Sequence, residues 1–294
     1  MINKLTMPTF KKNFIWSLFI LWSTFSFSQW VKPKGKGYYK LSAWYLKTDQ
    51  HYTDTGDIDP NITRGYFNTN FYGEYGLSNK FDIIAYVPFF VRTYQNDMTS
   101  GTTGEVIDSG EAINSIGDID LGVKYGIFDN GKLALSGSLI LGIPTGENSG
   151  GSDGSYQTGD GEFNQLIKFG LGVPFKLSNL NMYSKAYLGF NNRTKNFSDE
   201  LRSGLEIGGN LFNNKVWLIA RSDIVKSLKN GSLNAQTNQG NIFANNIEYV
   251  SLGGEINYYI TNKLGVSFNF TGAISGRLIA ANPTIGGGIF IDVK

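Results

Sequence analysis

The chain has 294 residues, among them 37 Gly, 21 Phe, 16 Tyr, seven Pro and no Cys, and carries a formal charge of +2. Without cysteine, an exported chain must draw its stability from packing and hydrogen bonds instead of disulfides. The small positive charge sits in the first residues and argues for no nucleic-acid partner.

Residues 1–28 read as a cleaved secretory signal. Lys4, Lys11 and Lys12 form a basic region, Phe14 to Trp22 a short apolar run, and Ser26 and Ser28 the small residues before a cleavage site. The apolar run is well short of the roughly 20 residues that span a bilayer as a helix. Three of the 26 Lys and Arg lie in this leader, which leaves 23 against 24 Asp and Glu. Residues 29–294 are long enough for one large domain, and no linker or change in composition divides them.

Twelve strand-like segments follow, at about 37–47, 63–76, 81–92, 117–127, 132–143, 161–173, 181–191, 199–211, 215–225, 246–260, 264–272 and 284–293. Most alternate apolar with polar or small residues, the one at 246–260 less cleanly, with the period of a strand that has two unlike faces. Asp118 to Ile127 is the clearest case: Ile119, Leu121, Val123, Tyr125 and Ile127 share one face, and Asp118, Asp120 and Lys124 the other. The connectors alternate too. Leu77–Lys80, Phe128–Gly131, Lys176–Asn179, Phe212–Asn214 and Thr261–Lys263 are tight and rich in Asn, Asp, Gly and Ser. Those at 48–62, 93–116, 144–160 and 226–245 are long and polar.

Short turns on one side and long loops on the other predict an all-β protein, a single antiparallel transmembrane barrel of the bacterial outer membrane. A soluble sandwich would expose a row of Leu, Ile and Phe on nearly every strand, a solubility fault. On the barrel reading those residues face lipid, and Tyr39, Tyr45, Tyr75, Tyr125 and Tyr258 form interfacial girdles.

Gly117 to Tyr125, followed by Leu141-Gly142-Ile143-Pro144-Thr145-Gly146, resembles the barrel family named for a phenol-degradation (MetA) pathway protein. Tyr86-Val87-Pro88-Phe89 and Gly159-Asp160-Gly161-Glu162-Phe163 fit the same pattern, and the resemblance covers about residues 65–175. It implies an outer-membrane barrel grouped with transporters of hydrophobic compounds. The chain departs from many such barrels at its end, Ile291-Asp292-Val293-Lys294, where Phe290 is the nearest aromatic.

The same alternation selects lumen-lining candidates. The acidic ones are Glu74, Asp118, Asp120, Glu162, Glu200, Glu206, Asp223 and Glu255. The basic ones are Lys40, Lys124, Lys168, Lys185, Arg202 and Arg221. Eight against six sets up no single-sign field. Two arrangements remain open: side chains that pair and fill the lumen, or the same residues lining a water path. The long segment Thr93–Ile116 is the expected plug. His51, among Asp49, Asp54 and Asp57, reads as a solvated loop histidine, and Asp54–Asp59 lacks the spacing of a calcium loop. No catalytic group, cofactor or metal is expected. The expected partners are outer-membrane lipids, the barrel-assembly machinery and a small-molecule solute. The function predicted is passive passage of that solute, hydrophobic if the family resemblance carries over. The alternative is a closed barrel with a structural or surface-binding role.

Overall fold

The computed structural model describes residues 30–60, 64–234 and 242–294. The leader read at residues 1–28 lies outside the described residues. Twelve long strands run through the chain: β1 Gly37–Thr48, β2 Arg64–Gly76, β3 Phe81–Gln95, β4 Ile119–Asp129, β5 Ala134–Ile143 and β6 Asn164–Leu177, then β7 Leu180–Arg193, β8 Glu200–Leu211, β9 Val216–Ser227, β10 Glu248–Tyr259, β11 Leu264–Arg277 and β12 Thr284–Val293. Each pairs antiparallel with its neighbour in sequence. β1 pairs with β12, from Gly37 opposite Val293 to Leu46 opposite Thr284, and this closes the barrel. Closure satisfies the backbone of every strand, which hydrocarbon demands because it offers no partner for a free N–H or C=O.

The faces follow from the alternation. Leu205, Leu188 and Phe169 are 66%, 63% and 61% exposed, a large apolar exposure that only a lipid surround makes favourable. The residues that alternate with such outward ones turn inward, including buried Lys124, Glu200 and Glu255. Ring pairs stabilise the outer surface: Phe81 lies 4.8 Å from Tyr125, and Tyr39 stacks on Phe71 at 6.4 Å.

β3 hides its faces in the sequence because it carries a bulge. Its register against β2 shifts between Thr69 and Phe71, so Phe89 and Phe90 are both exposed. Asp82 and Ile84 are buried before the bulge, and Val91 and Thr93 after it. Pro88 sits there without a donor to lose. The bulge also lets β3 run on to Gln95, where its outer end pairs with a short strand at Glu111–Ser115. The tight turns close as their residues dictate. Phe212, Asn213 and Asn214 all take positive φ, and the Asn130 side chain accepts from the N–H groups of Lys132 and Leu133.

An arginine at a lipid-facing site should be costly in proportion to its depth. Leu205→Arg, mid-strand in β8, is expected to lower stability by about 2–4 kcal/mol and Leu201→Arg, near the strand end, by ~0–1 kcal/mol. Urea titrations of folding into phosphatidylcholine vesicles measure this; equal costs at both sites would contradict the assigned membrane position.

Candidate functional site

The lumen is built in layers. At the end bearing the tight turns, Lys124 of β4 lies 2.9 Å from Asp82 of β3 and 3.4 Å from Glu74 of β2. Tyr72 donates a hydrogen bond to Glu74. The chain's own leading segment enters here. The Lys32 backbone N–H donates to both Asp82 carboxylate oxygens at 2.8 and 3.0 Å, and the Lys32 side chain reaches Asp292 at 3.8 Å. Trp30 is buried, and the Gly35 N–H bonds the Gly76 carbonyl at 2.8 Å. Gly76 is required for this approach: a Cβ there would stand 2.3 Å from the Pro33 carbonyl oxygen. Above the segment, Tyr38 stacks on Phe290 at 5.5 Å and Tyr259 meets Phe290 edge-on at 4.9 Å, filling the cross-section with rings.

The next layer is a chain of ion pairs. Lys40 meets Glu255 at 2.9 Å, Arg221 joins Glu255 at 3.1 Å to Glu206 at 3.5 Å, and Lys185 completes the line at 2.7 Å from Glu206. Tyr183 donates to the same Glu206 oxygen at 2.5 Å. Pairing of this kind offsets the cost of withdrawing charges from water, and removing one partner strands the other.

At the loop end, Arg193 of β7 is the hub. Its three guanidinium nitrogens donate to Asp160 at 2.8 Å, Glu162 at 2.7 Å and Glu200 at 2.8 Å. Arg202 holds the other Glu200 oxygen through Nε and Nη2 at 2.9 and 2.6 Å.

The inward-folded loop is residues 144–163. Tyr156, Gln157, Thr158 and Glu162 are buried, whereas 101–110 lie wholly exposed, so the plug expected at Thr93–Ile116 is instead an outward hairpin. Its length misled because length does not select which loop finds inward partners. The 144–163 loop has them. Thr93 Oγ1 donates to the Gln157 carbonyl at 2.5 Å, Arg64 bonds Ser155 and covers the Tyr156 ring, and Asp118 accepts the N–H groups of Gly146 and Asp160 at 2.9 and 2.8 Å. A Cβ on Gly159 would lie 2.2 Å from the Asp118 carboxylate.

Between the loop layer and the ion-pair layer lies a cavity of about 440 Å³. Leu46, Val225, Phe243, Ile247 and Ile279 are its apolar lining and Tyr187, Glu200, Arg202, Asp223 and Tyr249 its polar lining, with Val225 standing between Arg202 and Tyr249 in the strand register. Leu46 packs with Tyr66 and Ala280 in an apolar cluster inside the barrel, extended by Ile242 and Phe243.

All fourteen lumen candidates stand on the inner side or its loop-end rim. Lys40, Lys185, Glu206, Arg221 and Glu255 form the middle network, and Glu74 and Lys124 the lower one. Glu162, Glu200 and Arg202 belong to the upper network, and Asp118 holds the loop. Asp120, Lys168 and Asp223 make no ion pair among the described residues; Lys168 lies 5.1 Å from the Tyr187 ring centre, and that tyrosine donates to Asp223 at 2.7 Å. Sequence reasoning missed Lys32, Asp82, Asp160, Arg193 and Asp292. Asp82 was masked by the bulged strand, and Asp292 gives a signal only as the alternate of Phe290. His51 is not solvated: it is 2% exposed, its backbone pairs with Ala280, and neither ring nitrogen is hydrogen-bonded among the described residues.

The fold and its apolar outer belt define a transmembrane β-barrel of the bacterial outer membrane. No protein-family model matches the chain, and no curated protein matches it either. Among solved structures, the outer-membrane channel from Pseudomonas putida F1 is similar, with a TM-score of 0.56 at 11% identity over 92% of this chain and 99% of that one. The NanC porin covers 87% of this chain and 99% of its own, at a TM-score of 0.46 and 8% identity. The β domain of the Bordetella autotransporter BrkA covers 88% and 100%, at 0.48 and 14%.

Burial raises the Asp118 carboxyl to about 6, with repulsion from Asp160 adding to it and the Gly146 N–H opposing it. A released Asp118 titrates near about 3.9, so the docked loop takes up protons between these values. That contribution to docking is complete below about pH 4 and is lost as pH rises through about 6. Cleavage within 144–163 by a protease active across the range should therefore be faster at pH 8 than at pH 5, and Asp118→Asn should abolish the difference. An unchanged pH dependence in the variant would exclude this tether.

Proposed function

We propose that the barrel conducts a small solute passively across the outer membrane, with the cavity in its loop-end half as the capture point and no chemical step. The observation that carries the reading is the cavity itself, a space within the usual range for small-molecule sites, lined by both apolar and polar side chains. A filled structural barrel has no use for such a space. The phenol-degradation family resemblance supports a solute with an apolar body. The similar fold of the Pseudomonas putida channel supports conduction as the kind of task. Lipid around the belt and the barrel-assembly machinery are the other partners this reading requires.

A second reading, a closed barrel with a structural or surface-binding role, is favoured by one observation: the leading segment and the ring layer fill the periplasmic end. The two readings part on whether that segment leaves. On the channel reading it is the removable element: it forms no strand among the described residues, and its contacts include backbone hydrogen bonds at Gly76, Asp82 and Asn79 and the long Lys32–Asp292 ion pair.

Reconstitution in a planar bilayer tests this. The full mature chain should conduct weakly and intermittently, and deletion of residues 30–36 should raise the mean conductance about tenfold. Absence of both conductance and solute uptake in both proteins would overturn the channel reading.

A further inference from the structure

We infer that the loop-end cavity takes an organic monocation, an ammonium group carried on an apolar body. The inference names the solute class for the passage proposed above and rests on that reading.

The shape comes from the mixed lining. Leu46, Phe243 and Ile247 offer apolar surface, and Val225 adds to it between Arg202 and Tyr249; Leu46, Val225 and Ile247 are buried. A molecule with no apolar part would leave these side chains against water, which is unfavourable in proportion to their area.

The head group follows from the charges opposite. Six carboxylates stand in this half of the lumen and its rim, Asp118, Asp120, Asp160, Glu162, Glu200 and Asp223, against the guanidiniums of Arg193 and Arg202 and the ammonium groups of Lys168, beside Tyr187, and Lys195, at the Gly161 carbonyl. Both guanidiniums are committed. Arg193 is shared among three carboxylates, and Arg202 is held by two nitrogens on Glu200. The layer beneath is different, for there Lys40, Lys185 and Arg221 outnumber Glu206 and Glu255. The excess negative charge is therefore local to the cavity, a feature that a count over the whole lumen conceals.

Asp223 is where a cation would sit. It lines the cavity and makes no ion pair among the described residues, and its Oδ1 takes the Tyr187 hydroxyl at 2.7 Å. Its other carboxylate oxygen has no hydrogen bond there. Tyr249 lines the same cavity, its hydroxyl also without a hydrogen bond among the described residues. A carboxylate and an aromatic ring side by side form the recognition set for an ammonium group. An anionic head at Arg202 would instead stand against Glu200 and Asp223.

Calorimetry on the full mature protein in detergent micelles tests this with three probes of one shape: 2-phenylethylammonium, 2-phenylethanol and 3-phenylpropanoate. The ammonium is expected to bind at least about tenfold more tightly than the carboxylate, with the alcohol between them, and to weaken as salt rises, as a charge interaction should. Asp223→Asn should weaken the ammonium about five- to tenfold and change the alcohol less than about twofold, both readings being those of one lost ionic contact. The order of the three probes on the unaltered protein needs no variant to fold. Carboxylate binding as tight as ammonium binding, or an ammonium affinity unchanged in a correctly folded Asp223→Asn barrel, would overturn the inference. Binding needs no passage, so ordered binding without conductance would overturn the channel reading alone, and conductance without that order would overturn this inference alone.

Discussion

The pairing of β1 with β12 is the constraint from which the rest follows. An open sheet of this length in hydrocarbon would leave the N–H and C=O groups of two edges without partners, each costing several kcal/mol. Closure removes both edges and fixes which face of every strand meets lipid. With the apolar faces committed outward, the polar and charged ones have nowhere to go but the lumen. The ion-pair layers are the consequence of that crowding. Lys124 with Asp82 and Glu74, and Arg193 with its three carboxylates, hold most of those charges in pairs.

Pairing is uneven along the barrel axis, and that unevenness gives the interior its organisation. Toward the periplasm the charges are matched and the rings of Tyr38, Tyr259 and Phe290 close the gaps. Toward the outside, carboxylates exceed guanidiniums, and Tyr156 of the 144–163 loop, Ala244 and Ile247 are buried there. The result is a filled base beneath a partly apolar cavity. A wide porin would have neither layer.

The strand pattern was legible from residue type alone, because a strand with lipid on one side and polar groups on the other writes its period into the sequence. Leu205 beside Glu206, and Ile119 beside Asp120, are read without any knowledge of neighbours. What depended on distant contacts was not legible. Arg193 ends its strand, so nothing local announces that Asp160, Glu162 and Glu200 converge on it from two other segments. The docking of 144–163 depends on Thr93, Arg64 and Asp118, each remote in sequence. His51 looked solvated because acidic residues flank it, yet the short pairing with Ala280 buries it. The near balance of lumen charges was readable as a total, but its division into two unlike halves needed the positions.

On this reading the lumen's cavity is reached from outside while its base is shut. The absence of cysteine from the chain makes single-cysteine labelling clean. Thr271 lines the cavity, whereas Ser136, 2% exposed, faces the base. In intact cells a membrane-impermeant maleimide should label Thr271→Cys readily and leave Ser136→Cys unreacted. Equal labelling of both sites, or labelling of Ser136→Cys alone, would contradict the account.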